Sequence, residues 1–275
     1  PVDALWSDRP AEPQGAVAVQ QESHAGKPAS EKIAEIAAGV AEKGAAGVLI
    51  SDPSSVAWIF NIRGADVPHT PHPLARAIIT AAGQAELFID AGKVGREAAG
   101  HLDALCTRFA PAELATRLAS LAEGGAKVLV DGETTSIALS KAIESVGGVV
   151  VEAMDPARLP RAVKNSVELR GSAEAHVQDG VAMVRFLHWL DAQAPGSVSE
   201  ISAVRELEAC RARVGESLQN PLKDISFDTI SGAGEHGAIM HYRVTTETNR
   251  TLQPGELFLI DSGAQYVNGT TDITR

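Results

Sequence analysis

The sequence has 275 residues, of which 44% are hydrophobic and 21% charged, a composition typical of a globular protein with roughly two domains. Its formal net charge is -11, with 24 Lys and Arg against 35 Asp and Glu, and the lack of a basic cluster argues against a nucleic-acid partner. No apolar run approaches the roughly 20 residues that span a bilayer, and the N-terminus does not resemble a signal peptide, so we expect a cytoplasmic protein without a membrane partner.

The first part of the sequence predicts alternating helices and strands. Residues 1–25 are rich in Pro, Ala and polar residues and are expected to form a lead-in or linker. A helix follows, with Ser30 as its N-cap and Gly44 as its stop signal. After a short buried strand, Asp52 is placed to cap a second helix that has Pro53 at its first position.

The same alternation continues to the middle of the chain. Two strands are predicted on either side of Gly83-Gln84, and a helix is predicted with Pro111 in its first turn. Residues 126–153 then show a strand, a helix and a strand, the pattern of a βαβ unit. The sequence therefore predicts an α/β domain over residues 26–158.

Two prolines in "DPARLPRAVKN" place a domain boundary at residues 155–162, and we expect a second domain over residues 159–275. It starts with two helices, the second of which begins after Ser199. The buried stripe of the first helix is predicted to contain Val177, Val181, Val184, Phe186, Leu187 and Leu190. Strand-like runs follow, so this domain is expected to be α+β with antiparallel strands.

Two acidic residues, Asp261 and Asp272, lie in strand-like runs near the end of the sequence. If Asn268-Gly269 forms a two-residue turn, Asp272 lies opposite Gln265. If the loop is centred on Tyr266-Val267 instead, Asp272 lies opposite Asp261. Because side chains alternate between the faces of a strand, both registers place the two carboxylates on one face.

Neighbouring carboxylates repel each other, and a divalent cation would neutralise this repulsion. Two alternatives remain open from the spacing alone. The acids could form a solvent-facing pair balanced by Lys or Arg, or one of them could shape a turn near Gly263. His236 and His241 could be a loop residue and a hydrogen-bonded core residue, respectively. The cysteines lack CxxC partners, which indicates free thiols and no thiolate metal site.

Several longer motifs resemble one family. The segments "GAIMHY", "TNRTLQPGELFLIDSGAQY" and "GTTDITR" resemble the catalytic domain of aminopeptidase P, a family of Xaa-Pro aminopeptidases with the pita-bread metallopeptidase fold. Upstream, "VDALWSDRP" and "AWIFNIRGAD" are similar to the linker and middle domain of its three-domain members. The resemblance implies an α/β and α+β protein: a creatinase- and ribonuclease-H-like α/β domain, followed by the N-terminal part of a pita-bread domain.

The resemblance also implies a function. Family members release the N-terminal residue that precedes proline, using a hydroxide that bridges two divalent ions, usually Mn²⁺. Two Asp, one His and two Glu hold those ions in the family. By motif, Asp261 and Asp272 match the two Asp ligands, and His241 matches a histidine that positions the substrate or transfers a proton. The implied substrate is a peptide with proline in second position, and the implied assembly is a homodimer.

The sequence departs from the family pattern in one respect: the His and Glu ligands of the family follow the segment that matches "GTTDITR". We therefore expect these residues to be an internal fragment of a longer protein, inactive as a peptidase by themselves. The alternatives are an Xaa-Pro dipeptidase, a creatinase-like hydrolase, or a non-catalytic pita-bread module that binds a partner.

Overall fold

The structure is a computed structural model in which residues 5–275 are described. It divides into two compact units, the first ending at Lys164 and the second covering Asn165–Arg275. Within the described part of the chain, no helix is both long enough and apolar enough to cross a membrane.

The first unit contains a six-stranded mixed sheet. The described residues of this unit form eight strands: β1 (Ala18–Val19), β2 (Gly47–Ile50), β3 (Ile62–Arg63), β4 (Arg76–Thr80), β5 (Ala85–Phe88), β6 (Thr107–Phe109), β7 (Lys127–Val130) and β8 (Val149–Glu152). The six-stranded sheet has the order β6-β5-β4-β2-β7-β8, and β1 pairs separately with β3. Strand β4 is antiparallel to both of its neighbours, whereas the other pairs in this sheet are parallel.

Helices cover both faces of this sheet. They are α1 (Glu22–Ala25), α2 (Ala29–Glu42), α3 (Pro53–Ile59), α4 (Arg96–Asp103), α5 (Leu114–Ala122), α6 (Ile137–Glu144) and α7 (Arg158–Ala162). Alternate residues of β2 point to opposite faces: Val48 and Ile50 join the core under α2, α3 and α4, whereas Leu49 joins the core under α5 and α6. The expected α/β architecture is therefore confirmed as a sheet between two helical layers.

Local sequence signals explain most of these elements. Asp52 caps α3 as predicted, because its carboxylate accepts a hydrogen bond from the Ser54 amide, and proline follows the cap. The predicted β4–β5 hairpin forms, with Gly83 at a φ of 82° in its turn. The predicted N-cap of α2 is wrong by two residues, because Pro28 and not Ser30 occupies this position.

The NIRGAD segment contains a buried ion pair. The carboxylate of Asp66 accepts hydrogen bonds from the backbone amides of Gly15 and Leu74 at 2.9 and 2.6 Å. It also lies 2.8 Å from the ammonium group of Lys93, whose side chain is only 4% exposed. This single acid therefore connects the lead-in segment to the loop that precedes β4, which gives it a structural role.

The second unit is α+β, as expected. It contains two long helices, α8 (Ser166–Asp191) and α9 (Glu200–Ser217), and five short strands: β9 (Asp224–Ile225), β10 (Ile230–Ala233), β11 (Phe258–Ser262), β12 (Ala264–Gln265) and β13 (Ile273–Thr274). Strands β10, β11 and β13 form an antiparallel sheet in that order, and β12 pairs with β9. Ser199 caps α9 as predicted.

The buried face of α8 differs from the predicted stripe. Val177, Val181 and Val184 are exposed, whereas Phe186 is buried as expected. The buried residues of this helix are Gly171, Ala175, Gln178, Asp179, Ala182, Met183 and Phe186. They recur every three or four residues, as a helix face requires, but several are small or polar. Leu187 and Leu190 pack partly buried against the same core as Phe186, as predicted. Periodicity of apolar residues alone therefore selected the wrong face only for the three valines.

Candidate metal centre

Asp261 lies on β11 and Asp272 directly precedes β13, and these two segments pair in a register between the two that we predicted. Asp261 pairs with Thr274, and an isolated bridge joins Gln265 to Thr270. The connecting loop is centred on Val267-Asn268, since the amide of Tyr266 donates to the carbonyl oxygen of Gly269 at 2.9 Å. Both predicted turns, Asn268-Gly269 and Tyr266-Val267, are therefore wrong by one residue.

Either predicted turn placed the two carboxylates on one face, and the observed register does the same. In the observed register Asp272 lies opposite Gly263, which is two residues from Asp261, so the two acids share a face as diagonal neighbours. The hydroxyl of Thr274 donates to Oδ1 of Asp261 at 2.8 Å, as cross-strand neighbours on that face do. Asp261 is half-buried and Asp272 is exposed. The face is therefore accessible to a ligand.

Within the described part of the chain, no positive side chain balances these two acids. Among residues 5–275, neither carboxylate has a Lys, Arg or His within ion-pair distance, and the carboxylate of Asp272 accepts no hydrogen bond. The alternative of an acidic pair balanced by Lys or Arg is therefore not what the structure contains. Two uncompensated carboxylates on one face are suitable donors for a divalent cation.

The donor set within the described residues is incomplete. No group of three or more His, Cys, Asp or Glu side chains in this part of the chain is arranged to hold a metal ion. A divalent ion in a protein site takes four or more ligands. Asp261 and Asp272 therefore fit part of a metal centre, and further ligands are needed to complete it.

A charged network is buried beneath the opposite face of the same strands. Arg211 of α9 and Asp179 of α8 form a two-pronged ion pair, with Nε–Oδ1 and Nη2–Oδ2 distances of 2.6 and 3.1 Å, and both side chains are fully buried. Arg211 also donates to the hydroxyl of Ser262 at 3.0 Å. Asp179 accepts a hydrogen bond from the hydroxyl of Thr271 at 2.6 Å. The network thus contacts the sequence neighbour of each acid.

Tyr266 lies at the edge of this network. Its hydroxyl donates to Oδ1 of Asp179 at 3.4 Å. Burial raises the pKa of Tyr266 above its usual range, and the negative charge of Asp179 raises it further. Tyr266 therefore remains a neutral hydrogen-bond donor at physiological pH.

His241 lies on an exposed turn of the loop between β10 and β11. Its backbone has a φ of 54°, in the left-handed region that side chains other than glycine rarely adopt. The neighbouring Met240 is 85% exposed. Among the described residues, no hydrogen bond joins the imidazole of His241 to another group. It is therefore not the hydrogen-bonded core residue that was one of our two interpretations.

Glu200, at the start of α9, organises the loop that contains His241. Its buried carboxylate accepts hydrogen bonds at Oε1 from the Ala233 amide and from Nδ1 of His236, both at 2.8 Å. At Oε2 it accepts from the Arg250 amide at 2.9 Å and from the Tyr242 hydroxyl at 3.4 Å. The part of the loop from Ala233 to Arg250, which contains His241, is thereby fixed at both ends to one side chain. His236, which we interpreted as a simple loop residue, belongs to this network.

Sequence reasoning missed Asp179, Glu200 and Arg211. The hydrogen-bond partners of their side chains are 32 to 92 residues away along the chain, so no local pattern connects them. One signal was available for Asp179, which lies four residues after Ala175 and three before Ala182, on a helix face that becomes buried. A charged residue in such a position is rarely buried without a partner.

Comparisons with known proteins agree with this architecture. A model of the creatinase/prolidase N-terminal domain matches residues 8–168. A model of metallopeptidase family M24 matches residues 171–275. The two matches follow each other in the order that the sequence motifs predicted, and the expected fold is confirmed.

Individual relatives cover the whole chain. The probable Xaa-Pro aminopeptidase P of Neosartorya fischeri is 37% identical over 288 residues, which cover 100% of this chain and 42% of that relative. Aminopeptidase P2 of Arabidopsis thaliana is 33% identical over 305 residues, with the same coverage of 100% and 42%. The chain thus spans less than half the length of these curated relatives.

A solved structure gives the same result. The X-prolyl aminopeptidase of Caenorhabditis elegans, described as a cytosolic enzyme with a di-nuclear active site, has a TM-score of 0.87 and 27% identity to this chain. The superposition covers 100% of this chain and 45% of the C. elegans chain. This chain therefore belongs to the creatinase/prolidase N-terminal domain family, whose model matches residues 8–168, and its residues 171–275 match the model of metallopeptidase family M24.

Proposed function

We propose that this sequence is part of a metal-dependent Xaa-Pro aminopeptidase, in which Asp261 and Asp272 are ligands of two divalent ions. The observation that carries the proposal is the pair of carboxylates on one face of neighbouring strands, without a positive side chain to balance them among the described residues. The similarity to Xaa-Pro aminopeptidases over the whole chain supports the same reaction.

The residues of this chain would have the following roles. Asp261 and Asp272 hold the ions with carboxylate oxygens, and the ligands that complete the set are supplied from outside the described residues. A bound pair of divalent ions lowers the pKa of water and polarises the scissile carbonyl group. His241, on its exposed turn, positions the peptide or transfers a proton at its imidazole. The Glu200 network holds the loop on which this imidazole is presented.

Further properties belong to the same proposal. The ions are Mn²⁺, the substrate is a peptide with proline in second position, and the protein is a cytoplasmic homodimer. The solved relative, described as cytosolic and di-nuclear, supports the location and the number of ions. The two aspartates are hard oxygen donors, and such donors suit Mn²⁺ among the divalent transition metals.

The test compares the full-length protein with Asp261→Asn and Asp272→Asn variants. Bound metal is measured after exchange into Mn²⁺, and hydrolysis is measured on Xaa-Pro-Xaa tripeptides and Xaa-Pro dipeptides. We expect about two ions in the wild-type protein, cleavage of tripeptides, and loss of both properties in each variant. Asp191→Asn, at the exposed end of α8, is the matched control and should change neither property.

Three results would contradict the proposal. Cleavage restricted to dipeptides would identify a dipeptidase, and absence of both metal and hydrolysis in the wild-type protein would identify a binding module. Retention of metal and activity by both variants would show that these aspartates are not ligands.

A further inference from the structure

The buried ion pair between Asp179 and Arg211 needs an explanation beyond stability. Both side chains are fully buried, and the desolvation of two charges commonly cancels their attraction. Apolar side chains of similar size often stabilise a core as well as such a pair does. The contacts of this pair to the sheet indicate what an apolar core could not provide.

Each charge of the pair contacts a different one of the two paired segments that carry Asp261 and Asp272. Arg211 donates from Nη2 to the Ser262 hydroxyl at 3.0 Å and from Nη1 to the Gly263 carbonyl oxygen at 3.3 Å, both on the chain segment that follows Asp261. Asp179 accepts from the hydroxyl of Thr271, the residue before Asp272, at 2.6 Å. One rigid, two-pronged pair therefore contacts both strands directly behind the two acids.

A second layer of hydrogen bonds closes the arrangement. The hydroxyl of Thr271 also accepts a hydrogen bond from the Ala264 amide at 3.0 Å, so it bridges the two strands as well as contacting Asp179. The amide of Thr271 donates to the carbonyl oxygen of Ala264 at 2.9 Å. Ser262 and Thr271 are buried and point away from the face that carries the acids. The strands are thus fixed from behind while their front face remains accessible.

We propose that the Asp179–Arg211 pair is a positioning device that sets the spacing of Asp261 and Asp272, and thereby the affinity of the site for divalent metal. This inference rests on the proposed function, because it assumes that the two acids bind metal. None of the four positioning side chains, Asp179, Arg211, Ser262 and Thr271, contacts the ions in this proposal. They act through the backbone of the strands that carry the ligands.

The test removes the two side-chain hydrogen bonds that join the pair to the strands, at Ser262 and Thr271, but leaves the pair itself intact. The full-length protein is prepared metal-free as wild type and as Ser262→Ala, Thr271→Val and the double variant, and Mn²⁺ binding is measured by calorimetry. We expect the double variant to bind Mn²⁺ about 10-fold or more weakly, the range typical of residues that orient metal ligands. The single variants ensure that a folding defect in the double variant does not prevent the comparison.

Tyr266→Phe is the matched control. It removes another hydrogen bond to Asp179, but its position in the chain adjoins neither acid. We expect its Mn²⁺ affinity to equal that of the wild type. The melting temperature of the metal-free protein is recorded for every variant, because a purely structural role would lower that temperature without weakening metal binding.

The outcomes are distinguishable. If the wild-type protein binds Mn²⁺ and the folded double variant binds it with equal affinity, only the positioning role is overturned. A loss of affinity in Tyr266→Phe as large as that in the double variant would also overturn it. Wild-type protein that binds no Mn²⁺ would overturn the proposed function and this inference with it.

Discussion

Replacement of Glu200 by glutamine tests whether one carboxylate organises the loop that presents His241. The two backbone amides that define the ends of this network, those of Ala233 and Arg250, donate to different oxygens of Glu200, at 2.8 and 2.9 Å. A glutamine side chain has only one acceptor oxygen. Whichever way the amide is oriented, its NH₂ group must face a backbone N–H that previously had an acceptor.

The expected effect follows from this geometry. A hydrogen bond to a charged acceptor contributes about 1.5–3 kcal/mol, and a buried donor left without an acceptor adds a further penalty. The neutral amide is less costly to bury than the carboxylate, which offsets part of the loss. We expect a net loss of about 2 kcal/mol in the local stability of the loop, equivalent to roughly 30-fold more frequent opening.

Hydrogen exchange measured by mass spectrometry reports on this opening directly. Peptides that contain the amides of Ala233 and Arg250 should exchange roughly 30-fold faster in the Glu200→Gln variant than in the wild type. The control is Glu216→Gln, an exposed position on the same helix, where exchange should stay at the wild-type rate. If both amides exchange in the Glu200→Gln variant at the same rates as in the wild type, the idea that this carboxylate holds the loop is refuted.

Three further predictions test other parts of the structure. Gly171→Ala should destabilise the second unit by about 2 kcal/mol in denaturant unfolding, because a Cβ there would lie 2.4 Å from a carbonyl oxygen of the β12–β13 loop. Gly180→Ala on the same helix meets no atom within 4 Å and should stabilise it by up to ~1 kcal/mol. Burial raises the pKa of the half-buried Cys106 from 9.0 to about 12, so this thiol should react with disulfide reagents at pH 8 far more slowly in the folded protein than in the unfolded chain. Asp66→Asn leaves a buried lysine without its counter-charge and should cost about 3 kcal/mol, whereas Asp103→Asn removes a surface ion pair and should cost less than about 1 kcal/mol.

The raised pKa of the Cys106 thiol also predicts how the stability of the protein changes at alkaline pH. The unfolded chain loses the Cys106 proton near pH 9, whereas the folded protein keeps it until about pH 12. The stability that this group contributes is therefore fully present below pH 9 and decreases as the pH rises through this window. Unfolding curves at pH 8 and pH 10, compared with those of a Cys106→Ala variant, measure this contribution. Fast labelling of the native thiol at pH 8 would contradict its burial. Equal losses of unfolding free energy in Gly171→Ala and Gly180→Ala would contradict the contacts assigned to these glycines. Equal losses in Asp66→Asn and Asp103→Asn would contradict the contacts assigned to these aspartates.

Local signals in the sequence predicted the first unit well. The β4–β5 hairpin and the strand, helix and strand of residues 126–153 follow from short patterns of apolar, glycine and capping residues. Such patterns depend on neighbours in the chain, and the structure contains what they predict. The fold class of both units could therefore be obtained from periodicity and turn chemistry.

Long-range packing decided the features that were predicted wrongly. Gly269 was expected to form the turn, but a Cβ there would lie 2.9 Å from Ala175 Cβ, so its function is to allow close approach to α8. The turn is thereby displaced to Val267-Asn268. The valines of α8 are exposed because the other face of this helix contains the small and polar residues that contact the β12–β13 loop and Arg211. No pattern within the helix indicates which face has these partners.

The site could be predicted only in part. The alternation of side chains along a strand was sufficient to place Asp261 and Asp272 on one face, because an error of one residue in the turn moved the register by an even step. The positioning of these strands by Asp179 and Arg211 could not be predicted, since it depends on contacts between residues that are distant in the sequence.

The contacts of Asp179 also have a consequence for the order of folding. Its hydrogen bond to Thr271 joins residues 92 positions apart, and the link from Arg211 to Ser262 joins residues 51 positions apart. Closing such long loops costs chain entropy before the new contacts can offset it, so contacts of this kind slow folding. We therefore expect the helices and the βαβ unit to form early and the segments that carry Asp261 and Asp272 to dock last. The two acids reach their final spacing only in that last step, when the chain has closed around a buried charge.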